Sequence, residues 1–348
     1  MSIILDSHRL TERSYLGFLE NAIILSLAKA MPDEVFLIPK EKIGTGDWPS
    51  NLKAVEFPPL VGLFHQRKTE KWLQAINPSL FISFSRTLRT KQTVKQILII
   101  GNEDCLKELG IGSKVDGVGC TSNYLLSRAR KKGDYPQSDL FLTSSLTKVG
   151  NLAPDSEDRD IKELFTEGKE YFICTDFFET KDKCIALLKS FSLFKRMQES
   201  SWKLMLVMRA TDLYSIEDAE KLLSTYKYRA DVVITDEADL GKKIGEAYTL
   251  ISVNEKEIYP VPIVEAILQQ TPVIALPTLT NKDIFEDTIV YPVSETNEAL
   301  ADMMMMMYKG ETYRKNMIKK MKTISERLKG EDSIMPLQQM IRKLQQEL

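Results

Sequence analysis

The chain has 348 residues, 43% of them hydrophobic and 28% charged, with a formal net charge of −2. These are ordinary globular proportions, and at roughly 150 residues per domain they predict two domains. The near-neutral balance gives no electrostatic case for a nucleic-acid partner. Four cysteines without a C-x-x-C argue against a disulfide framework, and two histidines leave no multi-histidine metal site.

The opening Met1-Ser2-Ile3-Ile4-Leu5-Asp6 lacks the basic flank and long apolar core of a signal peptide. No apolar run reaches the roughly 18 residues of a membrane span. The expectation is a cytoplasmic protein. In the first half, apolar runs stand at Ile3–Leu5, Val35–Ile38, Leu80–Ile82, Ile97–Ile100 and Leu140–Leu142. Between the first two, Leu16, Leu19, Ile23 and Leu27 recur at helical spacing. Short apolar runs separated by amphipathic helices predict parallel strands buried on both faces.

A polar stretch from Val149 to Lys169, centred on Pro154-Asp155-Ser156-Glu157-Asp158, reads as a linker or exposed loop. The alternation then restarts. Strands are expected at Tyr171–Cys174, Leu204–Met208, Val232–Thr235, Thr249–Val253 and Val273–Leu276, with helices at Lys183–Met197, Ile216–Tyr226, Leu240–Ala247 and Val261–Gln269. Ser215, three residues before Asp218, fits a helix cap. From Asn297 to Leu348 the pattern gives two or three consecutive helices. The fold class is therefore α/β, with Rossmann-like doubly wound domains at 1–160 and 161–330. They are expected to face each other across a cleft, with a helix at 331–348 packing back on the first.

The second half resembles the donor domain of retaining GT-B glycosyltransferases, specifically the family 4 enzymes of bacterial surface polysaccharides. The likeness runs in order through Leu187-Leu188-Lys189-Ser190-Phe191, Lys203-Leu204-Met205-Leu206-Val207, Ala247-Tyr248-Thr249-Leu250, Pro262-Ile263-Val264-Glu265-Ala266-Ile267 and Thr271-Pro272-Val273-Ile274-Ala275. In the first half it rests on strand order and on Cys120-Thr121-Ser122-Asn123-Tyr124 opening a helix. Glu257 and Glu265, with seven residues between them, keep the E-x7-E spacing of that family. One glutamate precedes a strand-to-helix turn and the other is expected on the first helical turn. Both are then placed to accept hydrogen bonds from hydroxyls.

The resemblance implies that Glu265 holds the donor ribose and that Glu257 contacts the transferred sugar as the catalytic-site carboxylate. Arg209 falls where relatives often carry Lys, and Lys181 flanks the position of the family's phosphate lysine, so both are donor-binding candidates. On the acceptor side the candidates are His8 and Arg13. No metal and no cofactor are implied.

The departures from the family pattern are systematic. The Gly-aromatic-Gly turn becomes Ile258-Tyr259-Pro260, so Cβ atoms obstruct close backbone approach and Pro260 has no amide to donate. The Gly-Arg step becomes Asp176-Phe177, the phosphate lysine aligns with Asp182, and two glycine positions are Met208 and Asp236. The family's histidine is replaced in Gly101-Asn102-Glu103-Asp104. Between Lys169 and Lys309 the only glycines are Gly241 and Gly245, neither at a phosphate turn.

Two functions therefore stand side by side. One is a glycosyltransferase moving sugar from a nucleotide-sugar donor to a bacterial surface-glycan or lipid-linked acceptor with retention. The other is an inactive pseudo-glycosyltransferase serving a protein partner, such as another glycosyltransferase, as a regulatory subunit. The five methionines Met303–Met307 read as packing on the other domain, with a partner or membrane surface as the alternative. The basic amphipathic segment Arg314–Arg327 reads as a solvated face, with peripheral contact at the inner membrane face as its variant.

Overall fold

These periodicities become two all-parallel sheets in the computed structural model. It describes residues 2–7, 15–40, 48–58, 65–88, 94–109, 115–132, 139–143, 160–176, 180–208, 215–329 and 334–348. Two compact units emerge. One comprises Met1–Leu146, Glu257–Tyr259 and Lys329–Leu348; the other comprises Thr147–Lys256 and Pro260–Leu328.

The first unit contains β1 (Ser2–Asp6), α1 (Tyr15–Ala30), β2 (Val35–Pro39), β3 (Leu52–Val55), α2 (His65–Ile76), β4 (Leu80–Ser83), β5 (Lys95–Ile100), β6 (Gly117–Cys120), α3 (Asn123–Lys132) and β7 (Leu140–Leu142). Its sheet runs β3-β2-β1-β4-β5-β6-β7. The central strands β1, β4 and β5 are buried almost throughout, which is why they appear in sequence as continuous apolar runs. Two strands escaped the sequence reading. The edge strand β3 buries Leu52 and leaves Lys53 and Ala54 exposed. Strand β6 is Gly-Val-Gly-Cys, and its glycines are demanded by neighbours. A Cβ on Gly119 would lie 2.8 Å from Ile99 Cδ1 and 2.9 Å from both Phe141 Cε2 and Thr143 Cγ2.

The second unit begins with α4 (Ile161–Thr166), then β8 (Tyr171–Cys174), α5 (Lys181–Met197), β9 (Lys203–Val207), α6 (Ile216–Ser224), β10 (Val232–Thr235), α7 (Leu240–Glu246), β11 (Thr249–Ser252), α8 (Val261–Gln269) and β12 (Val273–Ala275). It closes with α9 (Leu279–Phe285), α10 (Asn297–Lys309) and α11 (Glu311–Lys329). The sheet order is β10-β9-β8-β11-β12. Hydroxyl caps set the helix starts. Thr180 accepts from the Lys183 amide, Ser215 from Asp218 at 3.1 Å, and Thr296 from Ala299 at 3.2 Å. Helix α8 ends with Gln270 in the left-handed region at φ 60°, where its amide satisfies the carbonyls of Ala266 and Ile267.

The core of this unit is partly aromatic. Phe172 meets Phe194 edge-on at 5.2 Å, and Trp202 packs on Tyr248 at 4.4 Å and on Tyr308 at 5.0 Å. The methionine run corrects the sequence expectation. It lies on α10, which packs on α5 of its own unit, with Met304 and Met307 fully buried and Met303, Met305 and Met306 half-buried. The cause is lateral. Tyr308 joins the Phe194–Trp202 cluster, so the face carrying Met304 and Met307 is drawn onto α5.

The last helix, α12 (Met335–Gln346), belongs to the first unit. It buries Leu337, Ile341 and Leu344 and ties Lys343 to Asp139 at 3.0 Å, and Glu347 just past its end pairs with Lys95 at 2.8 Å.

Candidate functional site

In each sheet the strand order reverses once, between β1 and β4 and between β8 and β11. At such a reversal the connections leave to opposite sides, and a crevice opens beyond the carboxyl ends of the strands. In this chain each crevice holds a buried aspartate bonded to a serine of the neighbouring strand.

In the second unit, Asp176 lies two residues past β8, 1% exposed, and accepts a 2.7 Å hydrogen bond from Ser252 Oγ at the end of β11. In the first, Asp6 ends β1 fully buried. It accepts from Ser83 Oγ on β4 at 3.0 Å and from Arg86 through Nε and NH2, both at 2.8 Å. A bidentate guanidinium is the strongest partner available to a buried carboxylate. Beside it Ser7 donates a short bond to Glu20, itself 2% exposed.

Around the second crevice the structure separates the predicted residues. Glu265 is wholly buried and accepts from Gln269 Nε2 at 2.9 Å. It is the fifth residue of α8, and the first turn carries no acid, which corrects its expected place on that turn. From a start at Val261, at 3.6 residues per turn, the fifth residue already falls on the second turn. Lys181 and Asp182 open α5 and are exposed.

Asp236, past β10, is 76% exposed in its side chain and is paired with the buried Lys243. Lys243 was not singled out in the sequence. Its Nζ donates to Thr235 Oγ1 at 2.8 Å and to the Asp236 carbonyl at 3.0 Å, and lies 4.9 Å from the Phe165 ring centre. Burial pushes this amine below the usual lysine range, and Asp236 partly restores it. Only its position on the inward face of a short helix could have revealed it. Arg209, His8 and Arg13 lie outside the described residues.

Glu257 sits elsewhere. The segment Glu257–Tyr259 groups with the first unit, where the Tyr259 amide donates to the Gly101 carbonyl at 3.1 Å and Ile258 bridges antiparallel to Asn102. Gly101 is needed there because a Cβ would meet Leu19 Cδ2 at 2.9 Å. Nearby, Tyr124 donates to Glu103 Oε1 at 2.5 Å, and Arg128 lies 3.5 Å from the same carboxylate. The hydrogen bond to Glu103, with burial and the charges of Glu103 and Glu257, pushes the Tyr124 phenol up to about 12. The half-buried Glu257 thus lies near enough for its charge to act on that phenol.

The cysteines form no disulfide with one another. All four are buried and reduced, and burial pushes the Cys120 thiol up to about 12. Among the described residues no group of three metal-ligating side chains occurs, and no helix is long and apolar enough to cross a membrane.

Two doubly wound parallel sheets, each with a carboxyl-edge crevice, define the class of this protein. No family model and no curated protein matches the sequence. Solved structures do match the whole chain. It is similar to a glycosyltransferase from Rickettsia africae, with 11% identity, coverage of 99% of this chain and 98% of that one, and a TM-score of 0.70. It is also similar to WaaG, a glycosyltransferase involved in lipopolysaccharide biosynthesis, with 11% identity, coverage of 93% and 95%, and a TM-score of 0.69. Anabaena HepE, solved with UDP and glucose, aligns at 12% identity over 99% and 98%, with a TM-score of 0.68. The chain therefore has the GT-B fold, and its activity has to be argued from its own residues.

Proposed function

We propose that this chain is a glycosyltransferase that takes a nucleotide-sugar donor at the carboxyl-edge crevice of its second unit. The sugar passes to a bacterial surface-glycan or lipid-linked acceptor, with retention of configuration. In the net reaction the anomeric C–O bond to the diphosphate breaks and a C–O bond to the acceptor hydroxyl forms. The hydroxyl proton leaves with the nucleoside diphosphate. Glu265 would accept from the donor ribose hydroxyls and Glu257 would contact the transferred sugar. Lys181 and Arg209 would supply cations, and His8 and Arg13 would meet the acceptor, with no metal and no cofactor. Such an enzyme works by positioning and by stabilising the leaving charge. Its acceptor would place it in the cytoplasm, at the inner face of the membrane.

The observation that carries this reading is Glu265: a carboxylate with 0% exposure on the helix leaving β11. A buried polar group needs hydrogen-bond partners, and this carboxyl is an acceptor held at the edge of the crevice. HepE and WaaG support the donor and acceptor classes by similarity of fold.

One observation favours the second reading, a pseudo-glycosyltransferase that serves a protein partner. The buried carboxylate of Asp176 occupies the crevice where a diphosphate would bring negative charge. Calorimetry with UDP, GDP and their sugars separates the two. Micromolar binding abolished by Glu265→Ala supports the enzyme. Absence of binding at millimolar nucleotide sinks it and leaves the partner role.

A further inference from the structure

The second unit has another cavity, at the opposite edge of its sheet. It is an open hollow of about 680 Å³ against the turn from α7 into β11 and the entries to α4 and β8, with Arg314 of α11 on one side. That size suits a small ligand. Its position at the amino ends of the strands separates it from Asp176, Ser252 and Glu265.

The cavity carries three acids and three cations, and they are not equally engaged. Asp160 caps α4 by accepting the Glu163 amide at 3.0 Å. Glu170 pairs with Lys162 Nζ at 2.8 Å, and Glu246 accepts the Lys162 amide at 3.2 Å. Each acid thus has a structural partner, and Lys162 is spent on one of them. Lys242 and Arg314 have no carboxylate partner within hydrogen-bond reach among the described residues. Glu311, one turn before Arg314, is ion-paired with Lys315 at 2.7 Å.

Arg314 is also held in a binding posture. Its guanidinium carbon lies 4.3 Å from the centre of the Tyr248 ring, and Trp202 packs edge-on against the same ring at 4.4 Å. A guanidinium held against an aromatic ring keeps its N–H groups available for an acceptor. Its Nε is buried and meets no acceptor among the described residues. The terminal guanidinium nitrogens also meet no acceptor among the described residues, and they, rather than the shut-off Nε, are the donors a ligand oxyanion can reach.

We infer that this cavity binds a sugar-sized phosphate monoester. Arg314 and Lys242 would take the phosphate oxygens. The carboxylates of Glu170 and Glu246 would accept from the ligand's hydroxyls through lone pairs their structural bonds leave available. A cavity with two unspent cations and several acceptors selects for a molecule carrying both a dianion and hydroxyl donors.

The test is calorimetry on the whole chain with glucose 6-phosphate, inorganic phosphate and glucose as probes. Glucose 6-phosphate is expected to bind, phosphate more weakly, and glucose not measurably. Arg314→Met keeps an unbranched stem against Tyr248 and should lower the affinity at least about tenfold, as should Lys242→Met. Lys315→Met, on the same helix outside the cavity, and saturating UDP should leave it unchanged. Circular dichroism confirms that each variant is folded. The inference is overturned by no binding at millimolar glucose 6-phosphate. It is equally overturned by binding indifferent to both Arg314→Met and Lys242→Met, or by competition from UDP. Its outcome is independent of whether the chain transfers sugar.

Discussion

The Asp6–Arg86 pair offers the sharpest test of what holds the first unit together. Arg86→Ala removes both guanidinium bonds, each 2.8 Å long, and leaves a carboxylate with 0% exposure. Breaking a buried pair by deleting one partner costs about 3–5 kcal/mol, because the remaining charge loses its compensation. Arg86 keeps 21% exposure, so solvent reaches part of the pair and the lower end, about 3 kcal/mol, is expected. For a unit of this size that corresponds to a fall in Tm of roughly 6–12 °C. The double variant Asp6→Asn with Arg86→Met should lie closer to wild type than Arg86→Ala, since it removes the charge along with its partner. Differential scanning calorimetry resolves the transition. A fall of less than about 2 °C, the response to losing an exposed ion pair, would refute the argument. So would a double variant no more stable than Arg86→Ala.

Three further predictions concern the strands and the second unit. Gly119→Ala should cost about 1–3 kcal/mol in urea unfolding, because its new methyl meets three side chains at under 3 Å; a neutral result would mean that β5 and β7 yield easily. Burial pushes the Tyr226 phenol from its ordinary value near 10 up to about 12. The folded state therefore holds that proton more tightly, and the resulting stability is full below pH 10 and lost as pH rises through 12. Tyr226→Phe should flatten this alkaline decline when urea midpoints near pH 9 and pH 11 are compared, and an unchanged slope would exclude Tyr226 as its source. Asp176→Asn should raise UDP affinity at least tenfold, since two charges about 8 Å apart repel by roughly 2 kcal/mol at an effective dielectric of 20. Equal affinities by calorimetry would remove Asp176 from the donor site.

Elements whose residues are buried on every side could be read directly. Strand Tyr171–Cys174 and helix Val261–Gln269 fall where the apolar pattern places them. Strand β6 could not, because its glycines answer to Ile99, Phe141 and Thr143, residues distant in sequence. Helix α9 was invisible for a related reason. Its Leu279 is 53% exposed while Thr280 and Asn281 are buried, inverting the usual pattern. At the candidate site, the missing glycines and cations could be seen in the sequence. That Asp176 is tied to Ser252 could not, because the bond joins strands 76 positions apart. Arg314 gave only a helical period, and its stacking on Tyr248 depends on how α11 lies in the fold.

The return of the last helix to the first unit has a consequence for synthesis. As the chain emerges from the ribosome, the sheet built from Ser2 to Leu142 lacks α12. Gly117, where a Cβ would lie only 3.1 Å from Met340 Cγ, then lacks that neighbour. The second unit has all of its strands and its α5–α10 layer before Met335 is made. The half of the protein that is translated first is therefore the half completed last, and the surface against which α12 buries Leu337, Ile341 and Leu344 stays uncovered for that interval.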